Sequence, residues 1–260
     1  MGVLNVTPDS FSDGGAYFDE TTALEHALQM EREGAEIIDV GGESTRPGAE
    51  TVGVEEELRR TVPLIRAVRA RSKILISIDT SKAAVADEAM KAGANIINDV
   101  TAFQGDAEMA EVALRTEAGV VLMHMQGTPR TMQQNPHYED VVREVAEFLR
   151  QRTAHVLGYG MAAENIAIDP GIGFGKSPKH NLALLRSLEI FAKLGHPLLI
   201  GVSRKSFLSW LGGAKEVKDR FWPGVALTSL GREKGAHIFR VHEPKPHVEA
   251  LRMTEAILHA

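Results

Sequence analysis

The chain contains no cysteine among its 260 residues. That absence removes disulfide frameworks, zinc ribbons, thiol nucleophiles and thiolate-bound clusters together, and it fits a reducing compartment. Basic charge is also in deficit, with 29 Lys and Arg against 35 Asp and Glu and a formal net charge of −6. Such a balance offers no broad field for tracking a phosphate backbone, which argues against nucleic acid as a partner. No apolar run reaches the roughly 18 residues that a membrane-spanning helix needs. No charged leader precedes a hydrophobic segment, and Val6 stands where a myristoylation signal wants Ser or Thr. The chain therefore reads as soluble and cytoplasmic, without a membrane partner. No linker rich in Pro, Gly or Ser divides it, and no internal repeat or low-complexity tract appears.

What is present is a rhythm. Eight short apolar, β-branched runs occupy residues 3–6, 36–40, 74–78, 95–98, 120–124, 166–169, 198–202 and 237–241. Continuous apolar character without polar alternation marks strands buried on both faces, the signature of a parallel sheet. Helical periodicity fills the intervals, as in Ala23, Leu24, Ala27 and Leu28 or Val141, Val145, Phe148, Leu149 and Val156. Gly34, Gly93, Gly119, Gly195 and Gly235 stand where helices should end and turn into the next strand, a place where a left-handed residue costs least as glycine. Eight strand–helix units in about 250 residues predict one (β/α)8 TIM barrel spanning 1–260, with an open doubly wound sheet as the structural rival. Pro63 inside the second helical stretch blurs that helix boundary. Long loops are expected at 7–19, 41–53 and 125–137, after strands one, two and five, and loops of that length often carry function.

The informative residues stand at the strand ends. In chain order they are Asn5 with Thr7 and Asp9, then Asp39, Glu43, Thr45 and Arg46, Asp79, Asn98 and Asp99, His124, Asp169, Arg204 and Lys205, and Arg240 with His242. Any one polar strand end could be mere exposure. All eight on one side point to the mouth of a barrel, where such folds place their chemistry. The signs look segregated: strands seven, eight, one and two supply Arg204, Lys205, Arg240, His242, Asn5 and Arg46, whereas strands three, four and six supply Asp79, Asn98, Asp99 and Asp169. Arg240 can fork onto phosphoryl oxygens while Lys205 acts as a point charge. Carboxylates and an amide in a pocket match the N–H groups of a heterocycle. The expected ligand is a polar heterocycle joined to phosphate or diphosphate.

The glycine-rich run DPGIGFGKS at 169–177 imitates two nucleotide motifs and satisfies neither. Pro170 occupies the first glycine position of a Walker loop, and the glycine spacing misses the dinucleotide fingerprint. Phe174 in this run is a candidate wall for a flat ring, set against a plain turn with one buried aromatic. His124 and His242 are the histidines at strand ends, without the spacing of a caged transition metal. A lone histidine there reads first as a hydrogen-bond donor. Ser206 and Ser209 lack an evident base, so covalent catalysis is not indicated.

Together the segments MGVLNVTPDSFSDGG at 1–15, IDVGGESTRPG at 38–48, SIDT at 77–80, INDV at 97–100, LMHMQGTP at 122–129, DPGIGFGK at 169–176, GVSRKS at 201–206 and FRVH at 239–242 resemble the dihydropteroate synthase family of pterin-binding enzymes. The resemblance runs in the family's order through nearly the whole chain. It implies condensation of 6-hydroxymethyl-7,8-dihydropterin diphosphate with p-aminobenzoate, Mg²⁺ assistance, a homodimer, and a second-substrate site that sulfonamides target. Residue by residue it implies Asp79, Asn98, Met123, Asp169 and Lys205 as the pterin set. Thr45, Arg240, His242 and the metal residue Asn5 form the implied diphosphate set, with Lys205, Arg240 and His242 catalytic. Phe11, Asp13, Arg46, Pro47, Phe174 and Ser206 complete the p-aminobenzoate site. Family members generally carry a further stretch before the first motif, so a trimmed or misassigned start is expected, and Glu243 stands where they have Asp. The alternatives are a corrinoid methyltransferase sharing the Asp and Asn pterin set, which has no need of Arg240, His242 and Lys205 toward phosphate, and a non-catalytic pterin-binding paralogue.

Overall fold

The computed structural model describes residues 1–7, 20–45, 48–211, 216 and 218–260, with Leu211 described in its backbone only. Phe11, Asp13, Arg46 and Pro47 lie outside the described residues. Eight strands run in order: β1 Gly2–Asn5, β2 Ile37–Gly41, β3 Leu75–Asp79, β4 Ile96–Asp99, β5 Gly119–Met123, β6 Ile166–Asp169, β7 Leu199–Gly201 and β8 Ile238–Arg240. The described helices are α1 Glu20–Arg32, α2 Val54–Arg71, α3 Ala83–Lys91, α4 Met109–Arg115, α5 Val141–Gly158, α6 Pro178–Arg186, α7 Leu188–Ala192, α8 Phe221–Glu233 and α9 Pro244–Leu258. Every expected strand is present; β6 coincides with its apolar run, and the other seven differ from theirs by one residue at each end.

Strands β1 to β6 pair in sequence order, all parallel, and β7 pairs with β8. Two bridges complete the ring. Ile168 of β6 meets Leu198 beside β7, where the Ile168 N–H donates to the Pro197 carbonyl at 2.9 Å. Gly2 of β1 meets Val241 beyond β8, with the Val3 N–H on the Val241 carbonyl at 2.8 Å and the Val241 N–H on the Met1 carbonyl at 2.9 Å. The sheet therefore closes as a barrel, and the open-sheet rival falls. Among the described residues no helix is long and apolar enough to cross a membrane.

Strand alternation separates two layers of apolar residues. Leu4, Ile38, Val40, Ile76, Ile78, Ile97 and Leu122 point outward and pack with Ala27, Met30, Leu64, Ile65, Val85 and Met109 of the surrounding helices. Val121, Ala167 and Leu199 form a separate small cluster with Met1, Ile96 and Ile238 inside the barrel. Burying an aliphatic side chain of this size stabilises by about 1.5–3 kcal/mol, so the outer layer carries most of the fold's stability. The inner cluster makes the floor of the lumen.

Local signals fix the helix ends. Asp140 caps α5 by accepting from the N–H groups of Val142 and Arg143, each at 3.1 Å. Ser177 opens α6 in a reciprocal capping box with His180, with Pro178 in the first turn. Pro63 lies on the exposed side of α2, and the helix continues through it. Gly34, Gly93, Gly195 and Gly235 adopt positive φ as expected. Gly119 does not: it is the first residue of β5, and Glu117 takes the left-handed conformation after α4, with φ 52°. The carboxylate residue tolerates that strain because the turn is already closed by the Ala118 N–H on the Ala113 carbonyl at 3.0 Å.

Candidate active site

Two residues along each strand returns a side chain to the same face. Moving two residues toward the C-terminal end from the floor residues Ile96, Val121, Ala167, Leu199 and Ile238 leads to Asn98, Met123, Asp169, Gly201 and Arg240. The polar layer of the lumen thus sits directly above its apolar floor. Register adds the rest, since Asn98 pairs with Asp79, Asp79 with Gly41, and Gly41 with Asn5. Gly41 keeps the rim between Asn5 and Asp79 open: a methyl group there would lie 3.7 Å from Asn5 Oδ1 and 3.6 Å from Asp79 Oδ2.

Arg240 organises this layer. Its Nε donates to Asp39 Oδ2 at 2.6 Å and its Nη2 to Asp79 Oδ2 at 2.7 Å. Asn98 Nδ2 donates to Asp39 Oδ2 at 3.2 Å. Asp39, Asp79 and Asn98 are all buried. Two carboxylates thus share one guanidinium away from water. Burial pushes the Asp79 pKa from 3.8 up to about 7, with Arg240 opposing and Asp39 adding to the rise. Burial works against the Arg240 charge, but Asp39 and Asp79 hold it firmly protonated. The expected separation of cationic and acidic sectors is therefore corrected: Arg240 reaches across from β8 into the carboxylates of β2 and β3. Asp39 is visible in the sequence as a strand end, without a signal for its role. Strand alternation is the signal that places it in the lumen.

Opposite, Asp169 accepts the Gly171 N–H at 2.7 Å. Burial raises its pKa, while that hydrogen bond and the positive charges of Lys205, Lys176 and Arg240 oppose the rise. Lys205 Nζ stands 4.0 Å over the centre of the Phe174 ring, a cation–π contact. Its pKa falls to about 8 because burial outweighs the attraction of Asp169. Arg204 reaches Lys205's position through a left-handed backbone, φ 59°, and turns outward to pair with Glu243. Glu243 therefore links the ends of β7 and β8. His242 shares a 3.1 Å hydrogen bond through Nδ1 with Ser203 Oγ. Met123 is buried, Thr45 and Asn5 are half-buried, and Ser206 is exposed at the start of a short 3-10 turn, Ser206–Leu211.

The glycine run forms a fixed loop. Gly171, Gly173 and Gly175 all have positive φ, and a methyl group on Gly171 would lie 1.9 Å from the His124 carbonyl oxygen. Gln133 Nε2 donates to the Gly173 carbonyl at 2.7 Å and Tyr138 to the Gly175 carbonyl at 2.9 Å. Lys176, the lysine of the failed Walker match, is buried and binds His124 Nδ1 and the Phe174 carbonyl, each at 2.9 Å. Sequence reasoning also missed Lys82, whose ammonium bridges Glu43 and Glu57 at 2.5 Å each. Nothing in local sequence pairs β3 with the root of the long loop after β2. Among the described residues no group of three or more His, Asp or Glu could hold a metal by itself.

A polar lumen with two buried carboxylates on an arginine, a third carboxylate facing lysines, and an aromatic wall can hold a flat N–H-rich ring beside an anionic group. Comparison with known proteins agrees. The pattern of the pterin binding enzyme family matches residues 1–242. The chain is 47% identical over 260 residues to dihydropteroate synthase of Escherichia coli K12, covering 100% of this chain and 92% of that one. The dihydropteroate synthase of Yersinia pestis, solved in complex with a sulfonamide drug, superposes with a TM-score of 0.94 at 43% identity, covering 100% and 94%. That of Xanthomonas albilineans, solved with 7,8-dihydropteroate, superposes with a TM-score of 0.89 at 39% identity, covering 100% and 93%. The chain belongs to the pterin-binding enzyme family and, within it, to the dihydropteroate synthases.

Proposed function

We propose that the chain condenses 6-hydroxymethyl-7,8-dihydropterin diphosphate with p-aminobenzoate, releasing diphosphate and 7,8-dihydropteroate for tetrahydrofolate synthesis. Family membership over the whole chain carries this reading, and the lumen chemistry supports it. Asp79, Asn98 and Asp169 supply the acceptors that the amino and ring N–H groups of a pterin require, with Met123 against the ring and Lys205 beside it. Arg240, with Nε and Nη2 committed to Asp39 and Asp79, keeps its guanidinium plane fixed and its Nη1 edge for a phosphoryl oxygen. His242 and Thr45 join it on the diphosphate. Phe174 and Ser206, with Phe11, Asp13, Arg46 and Pro47 of the two long loops, hold p-aminobenzoate.

The reaction is a substitution at a methylene group. Arg240 and His242 stabilise charge as it gathers on the departing diphosphate. The dihydropterin delocalises the positive charge left on carbon, and the pocket keeps water from it so that the aniline nitrogen forms the new bond and then loses its proton. No protein nucleophile is needed, in keeping with the absence of cysteine. Asn5 offers one hard carboxamide oxygen at the rim beside Asp79, which suits Mg²⁺, an ion that binds through few protein groups and keeps water and phosphate oxygens. When bound, Mg²⁺ supplies further neutralisation of the diphosphate. Removing divalent ions should suppress turnover, and Asn5→Ala should raise the Mg²⁺ concentration needed to restore it; an unchanged Mg²⁺ dependence would argue against Asn5.

Product analysis by chromatography tests the function. The purified protein should form 7,8-dihydropteroate from the two substrates and should not demethylate methyltetrahydrofolate in the presence of a corrinoid. The reverse result would favour the methyltransferase reading. We place the protein in the cytoplasm and infer a homodimer. The adjoining helices α8 and α9 leave Trp222, Leu230, Met253 and Ile257 exposed, which supports a self-associating face. A monomer in sedimentation velocity would contradict it.

A further inference from the structure

Lys176 is 2% exposed and, among the described residues, makes no ion pair with a carboxylate, an expensive state for a charged side chain. Its surroundings match the protonated form. Nζ lies 2.9 Å from His124 Nδ1, 2.9 Å from the Phe174 carbonyl and 3.3 Å from the His124 carbonyl. Three ammonium hydrogens meet three lone-pair acceptors, so the site is saturated only by the protonated lysine. Burial lowers the pKa to about 7, with Asp169 pulling it back up. A methionine of similar length would fill the same volume without the desolvation cost. The ammonium is therefore doing something that volume alone does not.

What it holds together is the crossing of two loops. Methyl groups on Gly171 and Gly175 would lie 1.9 Å from the His124 carbonyl oxygen and 2.5 Å from the Gln126 carbonyl oxygen. The glycine loop thus presses directly on the backbone leaving β5, where acceptors from both segments converge. Without a shared donor these acceptors would repel. The donor is Lys176, and one of its acceptors is the carbonyl of Phe174, whose ring carries Lys205 on its face. Gly173 completes the contact, since a methyl there would stand 3.1 Å from Lys205 Cδ. A continuous physical path runs from the end of β5 through Lys176 to Phe174 and Lys205.

We propose that Lys176 is a positioning residue that fixes Phe174 for the aromatic second substrate, with His124 serving as its acceptor in the Nε2–H tautomer. This rests on the synthase reading above. Since Nδ1 accepts from the ammonium, the donor that His124 keeps is its Nε2–H, on a ring packed against those of Tyr138 and Phe148.

Two measurements test it. In the wild-type protein, ¹⁵N NMR should find His124 neutral, protonated at Nε2, and not titrating between about pH 5 and pH 8. A proton on Nδ1, or a titration in that range, would overturn the contact. In kinetics, Lys176→Met should raise KM for p-aminobenzoate roughly tenfold or more, while calorimetric affinity for the pterin diphosphate changes by less than about threefold. Phe174→Leu should give a similar shift, and the double variant should be no worse than the worse single one. Equal loss for both substrates, or additive losses in the double variant, would overturn the proposal. If Lys176→Met does not fold, the wild-type His124 tautomer decides. Absence of wild-type turnover would contradict the synthase reading while leaving that NMR result to judge the contact.

Discussion

Asp39, Asp79 and Arg240 meet in the lumen with both carboxylates buried, and for Asp79 that burial has a measurable consequence. Asp79 has its pKa raised from 3.8 to about 7 in the folded chain. Between those values the native state binds more protons than the unfolded chain, so this group makes stability fall as pH rises through that window. Asp79→Asn removes the titration. The variant's melting temperature should drop less than the wild type's between about pH 5 and pH 7.5; an equal drop would show that Asp79 is ionised throughout. Asp169 faces a different test. Because it accepts charge-assisted hydrogen bonds from the pterin in our reading, Asp169→Asn should lower kcat/KM by roughly ten- to a hundredfold, corresponding to about 1.5–3 kcal/mol. Unchanged efficiency would remove Asp169 from the pterin set. Sequence made these residues visible one at a time, each as a polar strand end. It did not reveal that Arg240 of β8 spans the lumen to β2 and β3, because that pairing depends on a distance across the barrel that no local pattern encodes.

At the scale of elements, the glycine loop after β6 and the caps of the helices separate function from plain stability. Gly171 and Gly195 both have positive φ, at 67° and 86°. They differ in space: a methyl on Gly171 collides with the His124 carbonyl, whereas nothing lies within 4 Å of one on Gly195. Gly195→Ala should cost about 1 kcal/mol for its backbone conformation and leave catalysis intact. Gly171→Ala should cost about 2 kcal/mol or more and weaken use of p-aminobenzoate, because the loop must lift away from β5. Denaturant unfolding paired with kinetics checks both; similar effects of the two changes would contradict the close approach. Asp140→Ala, by removing the cap of α5, should cost about 1 kcal/mol in the same unfolding measurement with kcat/KM unchanged. The strands were legible because each is a β-branched run ending in a polar residue. The left-handed turn before β5 was misplaced because glycine is the usual occupant, and Glu117 took the position instead. Lys176 went unread because a lysine after glycines suggests a phosphate, while its acceptors are backbone carbonyls brought by another loop.

The whole molecule is a closed ring whose floor is apolar and whose upper lumen is charged, and the net charge of −6 conceals that arrangement. The barrel could be argued from eight strand ends, since parallel strands joined by helices close in few ways. The seams of the ring could not, because each rests on a bridge beyond the end of a regular strand, at Leu198 and Val241. The central claim is that this lumen binds a dihydropterin diphosphate and exchanges its diphosphate for an aromatic amine. Diphosphate release measured with and without p-aminobenzoate, in the presence of Mg²⁺, addresses that claim most directly. The account predicts release that depends on p-aminobenzoate and matches dihydropteroate formed one for one; no release with both substrates present, or release without matching dihydropteroate, would contradict it.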